Sequence, residues 1–283
     1  MGNLIGILHA MAPIMVIAAG MGLVVMLGKL DISVGSTAFV AMSSAALLMT
    51  QSGWPPALAC VLAIAVGTGL GAINGFVVCI LRVSPLIATL GSMIAFRGIG
   101  LQLTNSQVIV LPDAMRGFGN MTIGPVFLDI LLAFAILIVL DLIHRDTRFG
   151  RHVTAIGNDE ESARRVGIPV RRVVFTSFVI AGILASIGGI LAAAQVGAVT
   201  TFLGRGLEFT AVAVVVVGGI NLFGGRGSIF WGVFLGALTF ELIRSGLNYV
   251  GANPYFYELI GGAIIFVAMY AAALKTRRTG ASG

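Results

Sequence analysis

The chain has 283 residues, of which 58% are hydrophobic and only 10% charged, and its mean hydropathy is +1.05. Soluble domains carry about a quarter charged residues, so this composition excludes a soluble protein and indicates an integral membrane protein. The net charge of +6 is attributed to loops on the cytoplasmic side of the membrane, and nucleic acid is not expected as a partner.

Nine apolar runs can be drawn along the sequence, covering residues 4–28, 34–51, 57–81, 85–103, 123–143, 173–195, 207–223, 228–246 and 257–274. Crossing a hydrocarbon layer of about 30 Å takes about 17 to 25 helical residues. The sequence therefore predicts an all-α, polytopic helical bundle that forms one transmembrane domain over residues 1–283. The first run lacks a basic leader and a small-residue cleavage site, so the membrane helices themselves are expected to direct insertion.

The strongly charged segment is residues 145–172, between the fifth and sixth runs. It holds four acids and seven arginines: Asp146, Asp159, Glu160, Glu161, and Arg145, Arg148, Arg151, Arg164, Arg165, Arg171, Arg172. Because cytoplasmic loops retain Lys and Arg, this segment is predicted to be a cytoplasmic loop.

Counting crossings from this loop predicts the side of the other basic residues. Six more lie on the same side, namely Lys29, Arg82, Arg226, Lys275, Arg277 and Arg278, while Arg116 and Arg205 lie on the opposite side. This bias sets the orientation. Nine spans then place Met1 outside, so we expect that one further N-terminal helix either precedes this sequence or is not needed.

A short helix is predicted inside the basic loop, between Asn158 and Pro169. Asn158 is a suitable N-cap, and Glu161 three residues later can reach back toward it. Gly167 can take the left-handed position after the last turn, and Pro169 prevents continuation. Pairs four residues apart, Glu160 with Arg164 and Glu161 with Arg165, support the helix. Because so short a helix is marginal alone, it is expected to need a docking surface.

Glycines predict features of the spans. Gly67, Gly71 and Gly75 recur every fourth residue, a spacing that favours close helix contact in membranes. Two Gly-interrupted junctions, 25–36 and 216–228, resemble each other. Such junctions either break helices near a translocation path or form tight turns between helices, and the sequence leaves both interpretations open.

Several motifs in order resemble the ribose/xylose-type sugar permeases, which are permease subunits of ATP-binding-cassette (ABC) importers. Glu161-Ser-Ala163 followed by Gly167 is similar to the Glu-Ala-Ala and Gly pattern of their coupling loop, with Ser162 in place of the first Ala. The other matching segments are 147–151, 155–157, 167–168, 30–36, 87–91, 214–219 and 224–227. Residues 157–159 depart mildly from the more usual Gly-Gly-Asn.

The resemblance implies ten helices in the family and a function in the bacterial inner membrane. The solute is then a monosaccharide or related polyol, delivered by a periplasmic solute-binding protein. A cytoplasmic ATPase uses ATP and Mg, and a second permease copy, identical or homologous, completes the pore. The residues expected to contact the ATPase are Asn158, Asp159, Glu160, Glu161, Ser162, Ala163, Arg164, Arg165 and Gly167.

No nucleotide or catalytic motif is visible in the chain. Residues 219–226 are Gly-rich but lack Gly-Lys-Ser/Thr. His9, His144 and His152 have no metal-ligand spacing with cysteines or carboxylates. The chain itself is expected to bind no cofactor and to be no enzyme.

An ion-coupled carrier or channel is the main alternative, because such proteins use acids inside the membrane. The candidate acids are Asp31, Asp129, Asp141, Glu208, Glu241 and Glu258. Most lie near span ends or beside an arginine, which favours structural or interfacial roles. A membrane anchor is a third alternative, but it leaves the short cytoplasmic helix unexplained.

Polar side chains within the spans are candidates for the solute path. They are Asp31, Ser33, Asn74, Thr89, Ser92, Gln102, Asn105 and Asn221. The other interpretation, hydrogen bonds between helices, is the commoner use of isolated polar residues in membrane bundles.

Overall fold

The computed structural model describes residues 2–225 and 227–251 and seven positions between 259 and 270. These parts confirm a helical membrane protein with little sheet. The predicted span 257–274 falls largely outside the described residues, and Arg226, Glu258, Lys275, Arg277 and Arg278 fall outside them entirely.

The elements in chain order are α1 Gly2–Met26, α2 Val34–Gln51, α3 Pro56–Cys79, α4 Pro85–Thr104, β1 Ile109–Val110, α5 Asp113–Gly119, β2 Thr122–Ile123, β3 Val126–Phe127, α6 Leu128–Asp146, α7 Arg148–Asn158, α8 Glu160–Arg165, α9 Val170–Val196, β4 Ala198–Val199, α10 Leu207–Val217 and α11 Ile229–Tyr249.

Six helices in the described part are long and apolar enough to cross a membrane, namely α1, α2, α3, α4, α9 and α11. They correspond to six of the predicted spans. The predicted span 123–143 begins too early, because residues 122–127 form a β2–β3 hairpin with Gly124 at φ +61° in its turn. Helix α6 therefore starts only at Leu128.

The predicted span 207–223 is wrong, because α10 stops at Val217 after 11 residues. At about 1.5 Å per residue it is roughly 16 Å long, about half of a hydrocarbon layer. The physical reason lies in the glycines that follow it. Gly219, Gly224 and Gly225 have φ of +88°, +97° and +87°, left-handed conformations that end a right-handed helix.

Helix α1 is the centre of the bundle. It is apolar on all sides, and its residues from Met11 to Met26 are buried except for the partly exposed Ile14. A helix that is hydrophobic all round belongs in a core. Accordingly α1 is surrounded by α6, α9, α10 and α11.

Helices α3 and α9 pack through glycines, as the spacing predicts. A Cβ added at Gly67 would lie 2.5 Å from the Gly182 carbonyl oxygen, and one added at Gly71 would lie 2.5 Å from that of Phe178. No real Cβ approaches so closely, so only glycine permits this separation of the two backbones. Lipid gives little hydrophobic drive for helix association, and close van der Waals contact replaces it.

The two ends of the bundle differ in charge. Lys29, Arg82, Arg164 and Arg171 line one crevice of about 360 Å³, and we call this end the basic face. At the opposite face β1 pairs antiparallel with β4, and the Arg116 side chain contacts Gly197 beside that pair. The residues predicted to share the cytoplasmic side thus lie together where the structure describes them.

We predict that Gly71→Val lowers the free energy of unfolding by about 1–3 kcal/mol, because the added side chain forces α3 and α9 apart. Gly69→Val is the matched control, since a Cβ at Gly69 in the same helix meets nothing within 4 Å. Thermal unfolding of the purified protein in detergent measures the difference. Equal destabilisation by both substitutions would show that glycine contact does not hold these helices together.

Candidate coupling and translocation site

The basic loop contains two helices where the sequence analysis predicted one. Helix α7 was missed, although its buried residues Gly150, Val153 and Ile156 recur every third position, a helical spacing. The Thr147 hydroxyl caps this helix by accepting a hydrogen bond of 3.3 Å from the Gly150 amide. Residues 148–158 therefore form an amphipathic helix that lies against the bundle.

The N-cap of the short helix α8 is Asp159, and the prediction of Asn158 is wrong. Asn158 is the last residue of α7, so the chain first becomes extended at Asp159, with φ −161° and ψ 107°. The Asp159 carboxylate accepts a 2.8 Å hydrogen bond from the Ser162 amide. Glu161 does not reach back to the cap but binds Arg165 at 2.5 Å.

The end of α8 has the predicted form. Gly167 has φ +82°, and its amide donates to the Arg164 carbonyl oxygen at 3.1 Å. The Ile168 amide donates to the Ala163 carbonyl oxygen, also at 3.1 Å. These two bonds form a Schellman motif. The predicted pair between Glu160 and Arg164 is present at 3.1 Å, so both helix-spanning ion pairs are confirmed.

Local hydrogen bonds keep the α8 acids ionised. The Ser162 amide, the nearest donor, holds the pKa of Asp159 below its usual value of 3.8. The cap's stabilising effect is therefore complete above that value and is lost only as pH falls through the lower folded pKa. Partial burial alone would raise the pKa of Glu160, but the hydrogen bond and charge of Lys29, with Arg164, outweigh it and lower the pKa.

Helix α8 is fixed to the bundle at two points. Lys29, in the turn between α1 and α2, donates a 2.9 Å hydrogen bond to Glu160 across the basic face. On its inner side Ala163 is 3% exposed and packs in the same core cluster as Val170 and Val173 of α9. The outer side, with Glu161, Arg164 and Arg165, remains exposed.

Three backbones meet directly behind α8, at a place we call the glycine junction: Met26, Gly157, Gly224 and Gly225. The Gly225 amide donates a 2.9 Å hydrogen bond to the Met26 carbonyl oxygen. A Cβ at Gly157 would overlap that same oxygen, and one at Gly224 would lie 2.6 Å from the Gly157 carbonyl oxygen. The end of α1, the end of α7 and the break after α10 thus approach to backbone contact, and the Asn158 side chain lies against Gly225.

Both Gly-interrupted junctions of the sequence are non-helical connections between successive helices, and they contact each other. We call the connection from α1 to α2 the first break and that from α10 to α11 the second break; whether they lie near a translocation path stays a prediction. A Cβ at Gly28 would lie 3.3 Å from the Phe223 carbonyl oxygen. The first break is buried: Asp31 is 2% and Ile32 9% exposed before α2 begins at Val34. Irregular backbone inside a membrane protein is tolerated where protein covers it or where it lines a cavity.

A polar network connects the first break to α3 and α4. Asp31 accepts hydrogen bonds from the Ser33 amide at 3.0 Å and from the Ser33 hydroxyl at 2.6 Å. Asn74 donates to the Ser33 hydroxyl oxygen at 2.7 Å and accepts from Ser92 at 2.5 Å. Thr89 donates to its own helix at Pro85 and, at 3.4 Å, to the Leu30 carbonyl oxygen. These side chains bond between helices, and a role in the solute path stays a prediction.

The other predicted path residues lie elsewhere. Gln102 is exposed near the end of α4, and Asn105 ends that helix in a left-handed conformation with φ +49°. Asn221 is exposed, and its side-chain oxygen accepts a 3.1 Å bond from the Phe223 amide within the second break. The structure therefore does not bring these three residues to the network.

Three of the candidate acids have local partners. Asp129 lies 2.8 Å from His9 Nδ1 and accepts a 2.5 Å bond from Gln195. Asp141 accepts bonds of 3.2 and 3.1 Å from the Ser228 hydroxyl and the Phe230 amide. Glu241 lies 3.9 Å from Arg244.

Glu208 departs from the prediction that it lies near a span end. Because α10 is a half-length helix, its first turn is inside the bundle, where Glu208 is 6% exposed and contacts Gly35 of α2. Over the described residues, no group of three or more His, Cys, Asp or Glu has the arrangement to hold a metal ion.

A family model described as "Branched-chain amino acid transport system / permease component" matches residues 3–269. The chain belongs to this permease family. It is 38% identical to the probable ABC transporter permease protein YphD of Escherichia coli, over 99% of this chain and 84% of that protein. It is 36% identical to the ribose import permease protein RbsC of Bacillus subtilis, over 94% of this chain and 83% of that protein. It is 33% identical to the galactofuranose transporter permease protein YtfT of Escherichia coli, over 95% and 79%.

These matches confirm the predicted resemblance to ABC permeases. The permease is a multi-pass protein of the inner membrane and not an enzyme. Membership of the family implies an ATPase subunit and a solute-binding protein as partners.

We predict that Asp159→Ala weakens α8, because the Ser162 amide loses the side-chain acceptor of the N-cap. Amides of residues 160–166 should then exchange hydrogen roughly fivefold faster, since local opening controls their exchange. Asp159→Asn keeps an oxygen acceptor and should exchange at nearly the original rate. Hydrogen exchange with mass spectrometry measures both variants, and an unchanged rate in Asp159→Ala would mean that the cap does not hold the helix.

Proposed function

We propose that this permease imports a monosaccharide or related polyol across the bacterial inner membrane, with ATP hydrolysed by a separate cytoplasmic subunit. The supporting observation is α8, a six-residue helix capped at both ends, exposed on its charged side and attached to the bundle through Lys29 and Glu160. The sugar assignment draws on the relatives named for ribose and galactofuranose.

The exposed side of α8 is the proposed docking surface for the ATPase. Its charged side chains are paired within the helix, Glu161 with Arg165 and Glu160 with Arg164. Because surface pairs of this kind contribute little to stability, they remain available to a complementary groove. The ATPase binds ATP and Mg, and this chain binds no nucleotide.

Closure of two ATPase subunits moves α8, and the glycine junction carries that movement to both helix breaks. Met26 leads into the break before α2, and Gly225 lies in the break after α10. Discontinuous helices of this kind surround the substrate sites of many transporters. Nucleotide and the loaded binding protein then bias a two-state, alternating-access equilibrium.

A second permease, identical or homologous, completes the pore, and a periplasmic binding protein delivers the solute. Helices α3 and α4 present a broad apolar surface that needs lipid or the second permease to cover it. Exposed side chains on it are Val61, Ile73, Phe76, Leu86, Ile87 and Ile94.

The experiment reconstitutes the permease with its ATPase and binding protein in liposomes and supplies radiolabelled ribose, galactose or fructose. We expect ATP-dependent accumulation of at least one sugar, abolished by an ATPase that binds but does not hydrolyse ATP. Glu161→Arg on α8 should reduce ATPase co-purification and uptake together, while Arg148→Glu, at an exposed position on α7 outside α8, serves as the charge-reversal control. Uphill uptake by the permease alone on a proton or sodium gradient would establish the ion-coupled carrier instead, and uptake of none of the three sugars would refute the sugar assignment.

A further inference from the structure

A cleft with both apolar and charged lining residues lies apart from the Asp31 to Ser92 network. Its volume is about 570 Å³, and Ser36, Arg97, Thr201, Phe202 and Glu208 are among its lining residues. They come from α2, α4, the turn before α10, and α10 itself. Clefts of roughly 300–1,000 Å³ are typical of small-molecule sites.

Two residues that line this cleft each have a buried polar atom without a partner among the described residues. The atoms are Oε2 of Glu208, a residue that is 6% exposed, and Oγ of Ser36, a residue that is 1% exposed. Both atoms are covered from solvent in this arrangement. Buried polar groups are nearly always hydrogen-bonded, so two unpartnered atoms in residues beside one cleft indicate groups that a hydrogen-bonding ligand satisfies once these side chains shift.

Arg97 supplies donors to the same cleft. It is the one charged residue of α4 and lies about 10 Å from the end of that helix at Thr104, by the rise of 1.5 Å per residue. One nitrogen donates to the Leu203 carbonyl oxygen at 2.8 Å, and the guanidinium lies 4.8 Å from the centre of the Phe39 ring. Since a guanidinium has five N–H donors, others remain for a ligand. A charge at this depth faces the cleft and not lipid.

We propose that this cleft is the solute chamber of the permease, in which Glu208 accepts from and Arg97 donates to the hydroxyl groups of a monosaccharide. The proposal rests on the import function proposed above and gives that function its binding site. Ser36 adds a hydroxyl that can donate or accept. The exposed ring of Phe202, at the cleft wall, offers an apolar surface to the C–H face of a sugar.

The cleft is connected through the chain to the glycine junction, which we propose carries the ATP-driven movement of α8. Glu208 is in the first turn of α10, and the glycine junction follows the last turn of the same short helix. Ser36 is in the first turn of α2, directly after the other break. A shift at the junction therefore displaces one wall of the cleft through α10 and a second wall through the first break, which leads directly into α2.

The first test replaces Glu208→Gln and Arg97→Gln in the reconstituted complex. The assay uses a radiolabelled sugar that the original complex imports, supplied at a subsaturating concentration. Its uptake should fall about 10- to 100-fold, because each variant loses a hydrogen bond to a charged group. Assembly and ATP hydrolysis stimulated by the loaded binding protein should persist. Glu241→Gln and Arg244→Gln remove the same charges on α11, outside this cleft, and should leave uptake unchanged. Equal effects of cleft and control variants overturn the proposal.

A second test does not depend on those variants folding. Thr201→Cys, at a partly exposed position that lines the cleft, is made with Cys60→Ala and Cys79→Ala, which remove the two native cysteines. A charged, water-soluble methanethiosulfonate should modify the new thiol, and excess imported sugar should slow that reaction. A thiol that does not react, or that reacts equally with and without sugar, overturns the proposal. If the complex imports no sugar, the proposed function fails. Slower modification of the Thr201→Cys thiol in the presence of another transported solute would then support the cleft as a solute site and overturn only the sugar assignment.

Discussion

The hydrogen bond from the Gly225 amide to the Met26 carbonyl oxygen, 2.9 Å long, marks the contact on which the rest of the structure depends. Here the end of the central helix, the end of α7 and the break after α10 meet mainly through backbone atoms, with the Asn158 side chain beside Gly225. Gly157 and Gly224 leave no room for a Cβ at this place. Close-packed backbone has few alternative arrangements, and this is the physical basis of our proposal that displacement of α8 is transmitted to the bundle.

The same contact explains why two helices can be interrupted inside a membrane protein. Backbone groups need hydrogen-bond partners where water is absent. Backbone groups of the two breaks find these partners in neighbouring backbone and in polar side chains. Ser33 and Asp31 form a local hydrogen-bonded turn before α2, and Asn74 and Ser92 extend it to neighbouring helices. The breaks in turn place the first turns of α2 and α10 side by side, where Gly35 contacts Glu208. The cleft follows from that arrangement.

Much of the fold could be predicted from local sequence signals. Long apolar runs predicted the six long spans, and Glu160, Glu161 and Gly167 predicted the ion pairs and the end of α8. Features that depend on tertiary contact could not be predicted in this way. The Gly-interrupted segment 216–228 was a local signal that α10 ends early, but the sequence left open whether it breaks a helix or forms a turn. The apolar run was therefore drawn through to residue 223. Asn158 has the chemistry of an N-cap, yet α7 extends through it. Glu208 was predicted to lie near the end of a span. It lies inside the bundle because α10 is too short to cross the membrane, which the sequence did not show.

The central claim, that α8 and the break after α10 move as one body, can be measured directly by double electron-electron resonance. Spin labels at Arg165→Cys and Asn221→Cys, both exposed positions, are introduced after replacing Cys60 and Cys79 by alanine. In the complex with its ATPase, we predict the same distance distribution in the nucleotide-free and ATP-bound states. A shift of that distribution on ATP binding would show that α8 moves independently of the break, and would contradict transmission through the glycine junction.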